Sequence, residues 1–267
     1  VARGLASRGV PLVLGCRDLG RAREVAAELA RGPRGPAGAP VTAAQLDLAS
    51  LVSVRDFAAG LAAAGTRVRL LVNNAGVFCD RRLLTTDGFE MTIGVNFLGT
   101  FLLTRLLLPL LREAAARGEE PRIVNVASAA ALYGRLAPGA RAFTHGPHGF
   151  RGYAASKLAL VHFTRALSKE LQGSGVTVVA VHPGDAATGI WKGEGLLMKS
   201  VAPLMRRLLR SPAQAALPVL LAALDTVSPE LAGRLVGDRG GEISSARFED
   251  EAARRDLLAA ASRAVGL

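Results

Sequence analysis

The sequence predicts an α/β fold: a doubly wound parallel sheet with helices on both faces, in three layers. Three observations carry this reading. Short apolar, β-branched runs alternate with longer helical stretches along the chain, the pattern of βαβ units. The runs are continuously apolar, as strands buried on both faces require. Half of the 267 residues are hydrophobic while only 4% are aromatic, which suits Ala- and Leu-rich helices packed on a sheet and supplies a sizeable core.

In chain order, residues 1–9 read as the second half of a helix, and strands are predicted at 10–14, 41–46, 70–72, 123–126 and 176–181. Helices are predicted at 20–30, 50–64, 97–117 and 153–172, with a C-terminal helix at 246–265. Residues 32–40 form a Pro/Gly loop, 136–152 an irregular surface insertion with two prolines, and 191–210 a helical lid. No repeat and no charged tether divides the chain, so 1–267 is expected to be a single domain.

The formal charge of +11 raises nucleic-acid binding as a possibility. The arginines are scattered through helical stretches, as at Arg21 and Arg23 or Arg254 and Arg255, with no aromatics interleaved for base stacking. A solvated Arg-rich surface is the better reading, and no nucleic-acid partner is expected. Phosphates of a cofactor, or an anionic membrane, would also suit it. Cys16 and Cys79 are the two cysteines; they make neither a metal spacing nor a disulfide framework, and point to a reducing, intracellular compartment. No uninterrupted apolar stretch reaches the length of a bilayer span.

The chemistry is expected around Tyr153 and Lys157, which i,i+4 spacing places on one helical face. A phenol with an unperturbed pKa of ~10 is a poor base at neutral pH, and a cation beside it favours proton transfer. Alone this pair is a weak signal, more often an exposed helix face. Ser128 strengthens it: it follows a buried run at the carboxyl end of a strand, where open α/β sheets bind ligands, and its hydroxyl can polarise a carbonyl oxygen. Leu71-Val-Asn-Asn-Ala-Gly76 ends another strand in a small-residue turn that lets a flat cofactor lie against the backbone.

Together these residues resemble the short-chain dehydrogenase/reductase family over nearly the whole chain. Leu46-Asp-Leu48, Asn73 to Gly76, Val95-Asn96, Ser128, Tyr153 with Lys157, and His182-Pro-Gly184 match in that order. Ser156-Lys-Leu-Ala-Leu160, Phe163-Thr-Arg165 and Gly175-Val-Thr-Val178 are similar to the retinol-dehydrogenase-like branch. Within it, Asp87-Gly-Phe-Glu90 is most similar to the X-linked dehydrogenase/reductase subgroup.

The resemblance implies a Rossmann-like oxidoreductase acting on an apolar alcohol or carbonyl compound of retinoid, isoprenoid or steroid type. Tyr153 is then the general acid or base, with Lys157 lowering its pKa and holding the nicotinamide ribose. Ser128 bonds the reacting oxygen and Asn96 organises a proton-relay water. Asp47 and Leu48 meet the adenine, Asn74, Ala75 and Gly76 line the cofactor, and Pro183, Gly184 and Thr188 border the nicotinamide. Asp185-Ala-Ala187 departs from the more apolar family wording. Relatives often pair through the helix carrying Tyr153, which implies a homodimer.

Cofactor choice has a physical argument. Arg17 follows the first predicted strand, where NAD-specific folds commonly place an acid, so it can pair with a 2′-phosphate. NADP(H) is favoured over NAD(H), although Asp18 beside it could turn toward the ribose hydroxyls. The first strand and glycine-rich pyrophosphate turn of such folds are missing ahead of Val1. We read the chain as N-terminally incomplete, expect it to bind cofactor poorly, and leave open a catalytically inactive binding protein as the alternative. An anchor on the missing segment would place the protein at the endoplasmic reticulum or lipid droplets; without one it is expected in the cytoplasm.

Overall fold

The computed structural model describes residues 1–31, 39–184, 210–225 and 227–267. The predicted lid at 191–209, Thr188, and residues 32–38 of the Pro/Gly loop lie outside them. The strands are β1 (Leu12–Cys16), β2 (Val41–Gln45), β3 (Leu70–Asn73), β4 (Arg122–Val126), β5 (Thr177–Val181), β6 (Leu235–Val236) and β7 (Glu242–Ile243). The helices are α1 (Ala2–Ala6), α2 (Leu19–Arg31), α3 (Leu51–Ala63), α4 (Met91–Ile93), α5 (Thr100–Ala116), α6 (Arg141–Thr144), α7 (Gly149–Glu170), α8 (Pro212–Leu224), α9 (Ala246–Glu249) and α10 (Glu251–Val265).

The differences from the sequence reading have local causes. Pro11 has no N–H to give a ladder, and β1 begins at Leu12, whose N–H donates to Pro40 O at 2.9 Å. The helix expected at 97–117 starts at Met91, because the buried Glu90 carboxylate accepts from the N–H groups of Thr92 and Ile93 at 3.1 and 3.0 Å. Between α4 and α5 the chain makes a π-helical stretch, Gly94–Gly99. By length and composition Met91–Ala116 could cross a membrane, unlike the sequence expectation, yet 78% of its apolar window is buried inside the fold. Residues 136–152 are not wholly irregular: they include α6, and α7 starts at Gly149, so Tyr153 lies a turn inside its helix.

The sheet is predominantly parallel and lies in two pieces. One holds β1 and β2; the other runs β3-β4-β5-β6-β7, with only β7 antiparallel. Among the described residues no strand pairs with the second edge of β1 or of β3. Both strands are only part-buried along most of their length, whereas every residue of β4 is buried. The helical layers hold the pieces together. Leu5 of α1 and Val219, Leu220 and Ala223 of α8 pack on Val124, Val126, Val179 and Val181, with Leu12 of β1 and Leu70 of β3 against the same cluster. The opposite face carries Ile123, Val178 and Ala180 against Phe97, Phe101, Leu160 and Phe163. This two-residue alternation along β4 and β5 separates the layers.

A buried polar ladder sets the register beneath the site. Asn73 of β3 donates to Asn125 of β4 at 2.7 Å and to Thr104 of α5 at 3.0 Å. Asn125 in turn donates to Thr164 of α7 at 2.9 Å. Two strands and the two helices of the site are thereby tied through buried amides and hydroxyls. Asn125→Leu leaves these partners unsatisfied and is expected to cost about 1–3 kcal/mol. The melting temperature should fall by several degrees in thermal denaturation; an unchanged value contradicts the ladder's role.

Candidate active site at the carboxyl ends of the strands

Every described residue singled out at a strand end lies just past the carboxyl end of a parallel strand. Arg17 follows β1, Asp47 and Leu48 follow β2, Asn74 to Gly76 follow β3, Ser128 follows β4, and Pro183 and Gly184 follow β5. This is the edge where open parallel sheets take ligands.

Tyr153 and Lys157 meet this edge from α7. Lys157 is 4% exposed, and its ammonium sits 5.7 Å from the centre of the Tyr153 ring. Its Nζ donates to the carbonyl of Val126, the last residue of β4, at 2.8 Å. Loss of hydration pushes its pKa down from 10.5 to about 8. Phe78 packs edge-on against the Tyr153 ring, with centroids 6.0 Å apart. Two residues beyond Val126, Ser128 caps the 3₁₀ turn Ala129–Tyr133, its Oγ accepting from Ala130 N at 3.2 Å. That contact uses an acceptor lone pair and leaves the hydroxyl proton for another oxygen. The turn packs against α7. Gly134 makes this possible, since a Cβ there would stand 2.5 Å from Ala154 O.

Asn96 lies within the π-helical stretch, 1% exposed. Its Oδ1 accepts from Val77 N at 2.8 Å, and its Nδ2 donates to Val77 O and to Ser156 Oγ, both at 3.0 Å. Ser156 also donates to Tyr153 O at 2.7 Å. The Asn96 side chain is therefore a clamp between the loop after β3 and the Tyr153 turn of α7. Sequence reading missed Ser156 as a member of the site, although it lies three residues from Tyr153 and one from Lys157. It missed Val126 for a different reason: a backbone carbonyl leaves no trace in residue type.

The corner between these groups is shaped for a flat ligand. A Cβ on Gly76 would stand 3.4 Å from Asn96 Oδ1 and 3.5 Å from Lys157 Nζ, so glycine keeps the approach to the ammonium clear. Asn74 and Ala75 are exposed beside it. The residues present thus fit a nucleotide ring and ribose laid along the strand ends.

Further along the edge, Asp18 Oδ1 accepts from Arg21 N at 2.9 Å, in the first turn of α2. Arg17 is left exposed, with its carbonyl accepting from Gln45 Nε2 at 2.9 Å. Asp47 Oδ1 accepts from Ala49 N at 2.9 Å. Leu48 presses so close to the π-helical stretch that a Cβ on Gly99 would stand 2.3 Å from its carbonyl oxygen. At the other end, Gly184 has φ +83°, a conformation that favours glycine. The ion pair of Arg210 and Asp238, at 2.5 Å, lies against it.

A buried cation beside a phenol, a hydroxyl with a free proton and an open, glycine-lined corner can together hold a carbonyl or alcohol oxygen and move one proton to or from it. Comparison with known proteins gives the family. Residues 1–195 match the family model described as short chain dehydrogenase. Human retinol dehydrogenase 13 is 39% identical over 269 residues, covering 98% of this chain and 79% of the relative. Mouse polyprenol dehydrogenase is 37% identical over 271 residues, covering 99% and 79%. The Pseudomonas aeruginosa RhlG/NADP active-site complex superimposes with a TM-score of 0.65 at 25% identity, covering 89% of this chain and 88% of that one. The chain belongs to the short-chain dehydrogenase/reductase family, in its retinol-dehydrogenase-like branch.

Proposed function

We propose that the protein transfers a hydride between NADP(H) and a lipophilic alcohol or carbonyl compound, with Tyr153, Lys157 and Ser128 handling the proton and the reacting oxygen. The observation that carries this is the buried Lys157 ammonium, held by the Val126 carbonyl beside the Tyr153 ring. Burying a lysine this deeply is costly, and a strongly desolvated cation at a strand-end site is a mark of functional sites. When bound, the nicotinamide supplies the hydride in reduction and takes it up in oxidation.

The chain's own groups do the rest. In reduction, the Tyr153 phenol gives its proton to the substrate oxygen while Ser128 donates a hydrogen bond to the same atom; in oxidation the Tyr153 phenolate takes the proton back and Ser128 keeps its hydrogen bond to that oxygen. Lys157 in its charged form favours the phenolate left behind. Asn96 and Ser156 hold the Tyr153 turn against the loop after β3. Asn74, Ala75, Gly76 and Lys157 would hold the nicotinamide side of the cofactor, with Pro183, Gly184 and Thr188 at its border. Asp47 and Leu48 would meet the adenine. Arg17 would pair with a 2′-phosphate, supported by the engagement of Asp18 with α2 and by the NADP in the RhlG complex. The retinol and polyprenol dehydrogenases among its relatives support a lipophilic substrate.

NADPH oxidation driven by a lipophilic aldehyde tests the reading. Tyr153→Phe keeps the ring and removes the proton, so kcat should fall by about 10²–10⁴-fold; a variant as active as the parent contradicts the assignment. Arg17→Glu should lower the preference for NADPH over NADH by about tenfold or more, read as the ratio of the two kcat/KM values.

Lys157 also gives a pH signature. Its folded pKa of about 8 lies below the ordinary 10.5, so between these values the unfolded chain binds the extra proton, and stability rises with pH. Below pH 8 the full penalty is present. Urea denaturation of the parent and Lys157→Met should show their difference moving in the parent's favour from pH 8 to 10.5, by at most about 3 kcal/mol. A difference flat in pH contradicts the buried charge.

A further inference from the structure

We infer that the ion pair of Arg210 and Asp238 sets the charge felt at the nicotinamide end of the site, and so balances the protein's hold on the oxidised and reduced cofactor, an inference that rests on the proposed seat of the nicotinamide beside Pro183 and Gly184.

Three elements meet at this pair. A Cβ on Gly184 would stand 2.9 Å from Arg210 Cδ, 3.1 Å from its Nε and 3.3 Å from Asp238 Oδ2, so the pair lies on the turn after β5. Both partners are held by hydrogen-bonded backbone. Arg210 immediately precedes the N-cap of α8, where Ser211 Oγ accepts from Gln214 N at 3.2 Å and Gln214 Oε1 accepts from Ser211 N at 2.9 Å. Asp238 sits in the turn between β6 and β7. Gly237 N donates there to Gly241 O at 2.8 Å, and Gly240 N to Gly237 O at 3.0 Å. The strand entering that turn is fastened to the end of β5, with His182 N donating to Val236 O at 2.8 Å. The fold thus brings one cation and one anion, from two separate elements, onto a single glycine at the strand-end edge.

Fastening alone accounts poorly for the pair. The two side chains are 36% and 26% exposed, and ion pairs this open add little stability, because water screens the attraction and ordering two side chains costs entropy. Their field still reaches a group seated on the adjacent turn, since the effective dielectric near a protein surface is well below that of water. The two cofactor forms differ by one charge at the nicotinamide: the oxidised ring is cationic and the reduced ring neutral. An unpaired arginine on Gly184 would disfavour the oxidised ring, and an unpaired aspartate would favour it. Together they largely cancel and give the ring a near-neutral border. The ratio of the two dissociation constants sets the driving force for hydride transfer within the complex, by linkage. Through it the pair influences the direction of the reaction without touching substrate.

Dissociation constants of the chain for NADPH, from its fluorescence, and for NADP⁺, by competition, test this. Asp238→Asn keeps the side chain's shape and leaves the guanidinium unpaired, so the ratio of the NADP⁺ to the NADPH constant should rise about three- to tenfold. Arg210→Gln leaves the carboxylate unpaired and should lower the ratio by about the same factor. The double variant Arg210→Gln/Asp238→Asn removes both charges and should return the ratio to within about twofold of the parent's. Far-UV circular dichroism verifies that each variant keeps its fold. Single variants that leave the ratio unmoved or move it the same way, or a double variant that departs further than either, overturn the inference and make the pair a fastener only. A parent that binds neither form contradicts the hydride-transfer reading itself, and this inference with it, so the two failures are told apart by the parent.

Discussion

The ammonium of Lys157 sits in the interior with the Val126 carbonyl 2.8 Å away, and this contact joins the end of β4 to the Tyr153 turn of α7. Much of the surrounding architecture serves to keep that charge in place. The Asn73–Asn125–Thr164 ladder fixes β3, β4 and α7 at one register. Asn96 and Ser156 bind the loop after β3 to the same helix. Gly76 stays without a side chain so that the ammonium can be approached from the strand ends. Replacing these polar contacts with apolar packing would make an easier core; their presence concentrates hydrogen-bonding capacity behind the Lys157 ammonium.

The same layers explain how a divided sheet holds together. The part-buried sides of β1 and β3 leave backbone groups without ladder partners among the described residues, which is costly for a buried parallel sheet. The α1 and α8 cluster reaches Leu12 on one piece and Leu70 on the other. On the opposite face, the close approach of Leu48 to Gly99 ties the β2 end to the π-helical stretch. Tyr153, Lys157 and Ser128 meet the five-stranded piece, whereas Arg17, Asp47 and Leu48 follow the strands of the two-stranded one, so the proposed adenine-side contacts depend on how firmly these bridges hold.

The sequence made much of this legible. β-Branched runs disclosed the five longer parallel strands, because strands covered on both faces must be apolar throughout. β6 and β7 escaped: two residues such as Leu235–Val236 carry no periodicity. α8 escaped too, although Ser211-Pro-Ala-Gln214 spells a capping box that forms in the fold. At the site, the i,i+4 spacing of Tyr153 and Lys157 read correctly as one helical face. Two matters needed geometry. Residue types left Asp18 able to turn toward the ribose hydroxyls, and in the fold its Oδ1 accepts from Arg21 N in the first turn of α2. The Asn96 side chain binds Val77 and Ser156; an asparagine's partners depend on backbone brought near by folding, which its neighbours in sequence do not announce.

Hydrogen–deuterium exchange of the chain with and without NADPH tests the central claim most directly, because it locates the cofactor without requiring turnover. The account predicts protection along the carboxyl edge of the sheet, strongest at residues 74–77 and in the first turns of α7, with weaker protection around Arg17 and Leu48. Protection confined to the amino-terminal edge of the strands, or none at NADPH concentrations that support hydride transfer, would contradict it.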